Sequence, residues 1–149
     1  MSDKQRAAYS FAVDAALGFE EAEAKTRELL KEEGFGVLTE IDVAATLEQK
    51  LGVQFRPYKI LGACNPQLAH RALEVEPLIG VLLPCNVVVE ATGQRAVRVA
   101  FMDPEAALGM VGNPAVADVA QEAAVRLHRV ADRLSSAGAS KSALRHPAT

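Results

Sequence analysis

The stretch Val116–Leu134, VADVAQEAAVRLHRVADRL, decides the fold. Val116, Val119, Ala120, Ala123, Leu127, Val130 and Leu134 recur at three- and four-residue steps and make one apolar stripe. Asp118, Glu122, Arg126, Arg129 and Asp132 populate the other faces. This is a long amphipathic helix of about five turns. It needs a sheet to lie on. Immediately upstream, Arg95–Met102 is the clearest strand, with Val97, Val99 and Phe101 on one face. Val87–Glu90 precedes it, and a turn at Thr92-Gly93 makes the two an antiparallel hairpin. Leu78–Leu83 reads as another extended segment before Pro84. Proline lacks the ladder donor, so Pro84 belongs at a bulge or an edge.

Further toward the N-terminus, Tyr9, Phe11 and Val13 alternate with Ser10 and Ala12 as a first strand. A helix over Glu20–Glu33 carries Glu20 and Glu21 in its first turn and Lys31 in its last, which suits the macrodipole. Gly34 is its left-handed stop. Val37–Ile41 is a second strand. Asp42 then caps a short helix, Val43–Leu51, in which Val43, Leu47 and Leu51 repeat every fourth residue, and Gly52 ends it. Pro57 leads into a third strand, Tyr58–Ala63, and a third helix runs from Pro66 to Val75. Asn65-Pro66, Asp103-Pro104 and Asn113-Pro114 each join an N-cap residue to a proline suited to the first helical position. The plainer reading of that recurring pair is capping alone, above all for Asp103-Pro104 and Asn113-Pro114.

Composition narrows the class. A chain of 149 residues is one domain's worth, and a domain of this size buries roughly 70% of its unfolded surface. Half the residues are apolar and 23% are charged, which is the balance of a folded globular chain. No internal repeat divides 1–134 into two domains. The stretch 135–149 is rich in Ser, Ala and Gly, with no apolar period, and reads as a disordered tail. The net charge of −3 and the absence of a basic cluster argue against nucleic acid as a partner. The longest charge-free run, Pro77–Val89, is broken by Gly80, Pro84 and Asn86 and is too short to span a bilayer. Asp3, Lys4 and Asp14 interrupt any secretory pattern, so the expected location is the cytoplasm, with reduced thiols.

Two cysteines, Cys64 and Cys85, exclude a disulfide scaffold. With three histidines they make a poor basis for a tetrahedral zinc site, and no metal set or cofactor motif is read here. There is no G-x-S-x-G, P-loop or H-E-x-x-H. Gly34-Phe35-Gly36 lacks the third glycine of a dinucleotide loop and follows a helix instead of a strand. Cys64 ends a strand one residue before the cap Asn65, where the positive end of a helix favours thiolate. Cys85 follows Pro84. If the third and fourth strands are neighbours, both thiols face one crevice. Free cysteines also pack as small hydrophobes. Inert packed thiols, redox or sulfur-carrier chemistry, and a soft-metal site therefore all stay open. His70 approaches Cys64 only if its loop folds back, His128 belongs to a helix rim, and His146 lies in the tail.

Four signatures carry a resemblance. Gly34-Phe35-Gly36-Val37-Leu38-Thr39-Glu40-Ile41-Asp42, Tyr58-Lys59-Ile60-Leu61-Gly62-Ala63-Cys64-Asn65-Pro66, Leu82-Leu83-Pro84-Cys85-Asn86-Val87-Val88-Val89 and Met102-Asp103-Pro104 occur in that order. Together they resemble the bacterial and archaeal family called domain of unknown function 302, from about Tyr9 to Leu134. The resemblance implies an α+β fold, helices against a curved, largely antiparallel sheet, similar to the TATA-binding-protein-like class, to which the long amphipathic C-terminal helix read above is added. It also implies a homodimer. It implies no activity, and it marks Cys64 and Cys85 as motif residues without a role.

Three functions follow. The first is a homodimeric, non-enzymatic module that binds a small ligand or a partner in a crevice beside the Cys64 loop. Its candidate residues are Cys64, Asn65, Pro66, Cys85, Asn86 and Asp103, and the helix N-termini at Asn65 and Asp103 would hold a small anion. The second is thiol chemistry, with Cys64 attacking and Cys85 resolving. The third is purely structural association through an amphipathic surface.

Overall fold

The computed structural model describes residues 4–145, with side chains as far as residue 137. Six strands form one open antiparallel sheet: β1 (Gln5–Ala7), β2 (Ser10–Ala15), β3 (Gly36–Asp42), β4 (Tyr58–Cys64), β5 (Cys85–Gly93) and β6 (Ala96–Met102). Their order is β1-β2-β6-β5-β4-β3. Five helices join them: α1 (Phe19–Glu32), α2 (Val43–Leu51), α3 (Pro66–Val75), α4 (Pro104–Gly109) and α5 (Pro114–Arg145). The α+β architecture and the long C-terminal helix are those expected from the sequence.

Alternation sends every second residue to one side of the sheet. Phe11 stands opposite Phe101, Phe101 opposite Val87 and Val87 opposite Leu61. Val13, Val99 and Val89 make the neighbouring row. All seven are fully buried, and burying each is worth about 1.5–3 kcal/mol by the area rule. The rings of Phe11 and Phe101 stack 5.2 Å apart. The apolar stripe of α5 covers the β2 side of this core, and Ala22, Leu29 and Leu30 of α1 contribute beside it.

The helix ends follow local chemistry. Gly34 takes φ +87° after α1, while Phe35 N–H bonds Leu30 O at 2.9 Å and Gly34 N–H bonds Lys31 O at 3.0 Å, the Schellman pattern. Asn65 accepts from Leu68 N–H at 3.1 Å, Asp103 from Glu105 N–H at 3.0 Å and Asn113 from Ala115 N–H at 3.0 Å. All three Asx-Pro pairs therefore begin helices.

Several expectations are corrected. Leu78–Leu83 is not extended: Pro77–Leu82 forms a 3-10 turn. An apolar run of this length is ambiguous between strand and helix, and proline suits a first helical position. The hairpin turns at Gln94-Arg95, not Thr92-Gly93. β5 reaches Gly93 through an irregularity at Ala91–Gly93, and Arg95 takes φ +49°. Pro84 precedes β5, so it interrupts no ladder, and the Leu83–Pro84 peptide is cis. The first strand begins at Ser10, and Tyr9 is exposed in the turn after the short edge strand β1. The short helix runs Val43–Leu51 as expected, with Val43 and Leu47 of its repeat half-buried and Leu51 exposed.

The stripe of α5 is buried through Leu134, as its spacing requires. The backbone stays helical to Arg145, beyond Ser135, where the composition suggests a disordered tail. No proline interrupts it before Pro147, and Ala and Lys are good helix formers. His146 and the end of that stretch lie outside the described residues. Among the described residues, no helix is long and apolar enough to cross a membrane.

Candidate functional site

The two cysteines line one cavity. β4 and β5 are neighbours, and Ala63 stands directly across from Cys85. Cys64 is the next residue along, at the end of β4. Both thiols, with Asn65, line one cavity of about 30 Å³ walled by Phe35, Leu68, Leu83 and Pro84 among other apolar groups. That volume holds a water or a bare ion, since a water needs only about 10–15 Å³ of such space. It is far below the roughly 300–1,000 Å³ of a metabolite pocket. Cys85 is buried and Cys64 half-buried, and no disulfide joins them.

The environment does not activate these thiols. Burial pushes the Cys64 thiol above its usual range. Burial, together with the nearby Cys64, pushes Cys85 up to about 11. This overturns the sequence expectation that the helix terminus favours thiolate. The reason is local: Pro66 has no N–H to offer, and Asn65 already satisfies Leu68 N–H with its side chain and Ala69 N–H with its carbonyl. Desolvation then outweighs the helix dipole.

The remaining candidates disperse. Pro66 is exposed at the first turn of α3. Asn86 is exposed on the opposite face of the sheet, beside Tyr58 and Val88. Asp103 caps the six-residue α4 with its own carboxylate. His70 turns away from the thiols and lies 3.6 Å from Glu74. His128 is half-buried, stacked 3.8 Å over Phe11, with Nδ1 2.8 Å from Lys4 Nζ. Burial, then the charges of Lys4 and Arg6, lower its pKa.

The second region is the sheet face turned away from the buried rows. Register places Ile41 opposite Ile60, Ile60 opposite Val88, Val88 opposite Ala100 and Ala100 opposite Ala12. One apolar row thus crosses five strands. By the usual strand spacing it is about 19 Å long. Ile41 is 50% exposed, Ile60, Val88 and Ala100 are half-buried, and Ala12 is buried. Tyr58 and Met102 flank it, half-buried.

Beside this row runs a charged one: Tyr58, Glu90, Arg98 and Asp14 stand in register across β4, β5, β6 and β2. Arg56 and Arg98 both donate to Glu90. Burial pushes the Glu90 carboxyl up, but these two guanidinium groups hold it below the usual carboxylate range. Arg56 also lies 4.4 Å over the Phe55 ring. The sequence carried a signal for this face. Ile60, Val88 and Ala100 are apolar on the parity opposite to the core residues, which marks strands covered on more than one side.

On the helix side, Lys59 is 3.0 Å from both Glu23 and Glu40, and Arg27 bridges the same two carboxylates. The glutamates raise the Lys59 pKa, with Glu23 first. Two acids and two bases cancel, so this network ties α1 to β3 and β4 without a field for a ligand.

The comparisons fit this architecture. The chain matches the family model for domain of unknown function DUF302 over residues 9–134. It is similar to the crystal structure of an uncharacterised conserved DUF302 protein from Bacillus stearothermophilus, with 36% sequence identity and a TM-score of 0.78, covering 86% of this chain and 99% of that one. No curated protein matches it.

Proposed function

Because the chain belongs to the DUF302 family, whose description assigns no activity, we propose a function from its surface: a non-catalytic interaction module that pairs with a second copy through the open face of its sheet. The observation that carries this reading is the apolar row Ile41, Ile60, Val88, Ala100 and Ala12. A sheet face of this kind is stabilised by packing on another apolar layer.

Charge supports a second copy as the occupant. The row beside the apolar one holds both signs, Glu90 and Asp14 with Arg98 and Arg56. A two-fold axis brings the same patch to itself, and a row whose acids and bases cancel sets no net like charge against its copy. Nucleic acid would need an excess of basic groups, which this face lacks.

The experiment is sedimentation of the full chain at micromolar concentration. Wild type is expected to sediment as a dimer and Val88→Glu as a folded monomer. A wild-type monomer throughout the micromolar range overturns the reading.

Thiol exchange is the second reading, favoured by the shared cavity of Cys64 and Cys85. Its attacking thiolate is scarce near neutral pH, because burial raises both pKa values. Small-anion capture finds the caps of α3 and α4 already occupied by their own side chains.

A further inference from the structure

We propose that Cys64 and Cys85 together bind one Cu(I) ion as a two-thiolate site where β4 passes into α3. The placement comes from the ladder. Cys85 pairs with Ala63, Cys64 follows Ala63, and both cysteines line the same cavity of about 30 Å³. That space takes a bare ion and excludes hydrated cations and organic ligands.

The donor set chooses the metal. Two thiols in an apolar wall suit a soft monovalent ion that is satisfied by two ligands. Zinc would need four donors, and among the described residues no group of three His, Cys, Asp or Glu could hold a metal ion. Hard cations need oxygen ligands, and the polar side chain on the wall, Asn65, is engaged in capping α3.

Access fits as well. Cys64 is half-exposed and Cys85 is buried, so an arriving ion meets Cys64 first and passes inward to Cys85. Binding forms two Cu–S bonds, breaks two S–H bonds and releases two protons to solvent. Copper stays Cu(I) throughout, and no electron is transferred. The site changes from neutral to one negative charge. High thiol pKa values are no obstacle, because a coordinating metal displaces the proton directly. The consequence is affinity that rises with pH.

The test is an anaerobic titration of the reduced full chain with Cu(I), supplied as its acetonitrile complex and competed with bicinchoninate. One ion per chain, release of two protons and protection of both thiols from alkylation are expected. Cys64→Ser and Cys85→Ala are each expected to weaken binding about 100-fold or more, with circular dichroism confirming that both remain folded. Thiol protection is read on wild type, so it stands even where a variant fails to fold. Val88→Glu is expected to bind copper normally, which separates this site from self-association. Unprotected thiols at one equivalent of copper overturn the proposal. So does one ion shared between two chains, or undiminished binding by folded Cys64→Ser.

Discussion

Cys85 shows how burial governs a side chain's chemistry. Its thiol is held neutral up to about 11, so its alkylation near neutral pH is expected to be much slower than that of a free thiol. The rate should rise about tenfold per pH unit until that value is approached. Iodoacetamide labelling followed by mass spectrometry, cysteine by cysteine, measures this, with Cys64 expected to react first because it is the more exposed. The same shift affects stability. The folded pKa lies above the ordinary value of 9.0. The stabilisation is therefore complete below about pH 9 and is lost as pH rises toward 11. Comparing wild type with Cys85→Ala by urea unfolding from pH 8 to 11 isolates it. Glu90 has the opposite sign. Its lowered pKa contributes stability that is present above the ordinary carboxylate range and is lost as pH falls through the folded value. Glu90→Gln is expected to cost about 1–3 kcal/mol at pH 7 and to flatten the acid limb of the stability profile. The motif around Cys64 was legible from the chain. Its reactivity was not, because desolvation depends on Phe35, Leu68 and Leu83, which converge from three separate segments.

At the scale of elements, local chemistry was highly legible. The Asx-Pro pairs start α3, α4 and α5, and Gly34 stops α1 by the backbone conformation that only glycine adopts freely. Gly34 has a second constraint: a Cβ there would lie 2.8 Å from Asn65 Nδ2. Gly34→Ala is therefore expected to destabilise by more than about 1 kcal/mol, and Asn65→Ala by about 0.5–2 kcal/mol, both read as shifts in the urea midpoint. The two are neighbours, so the double variant is expected to depart from additivity. Gly62 meets a similar limit, since a Cβ would fall 2.2 Å from Thr39 Oγ1 across the β3–β4 ladder. The elements misread were those without a decisive period. The run Pro77–Leu82 is apolar throughout and settles as a 3-10 turn. The hairpin moved by two residues because the Ala91–Gly93 irregularity consumes the Gly that a simple turn would have used.

For the whole molecule, the strand order β1-β2-β6-β5-β4-β3 puts β6 and β5 at the centre and leaves β3 as a seven-residue edge. Native-state hydrogen exchange is expected to be slowest in β5 and β6 and fastest among β1 and the outward amides of β3. Equal protection of β3 and β6 would place a further strand against that edge. The dimer expected from the open face makes a different mark, a concentration-dependent unfolding midpoint that Val88→Glu removes. The sequence by itself determined the helix of Val116–Leu134, the capped helix starts, the parity of the strands and the two cysteine motifs. Each of these is set by neighbours along the chain: turn geometry, proline's fixed φ and the periods of 3.6 and 2. Tertiary structure alone decided that Cys64 and Cys85 share a cavity, that Asn86 and Asp103 stand apart from it, and that one apolar row crosses five strands. Those facts depend on register and desolvation, which arise only when residues distant in sequence are packed together.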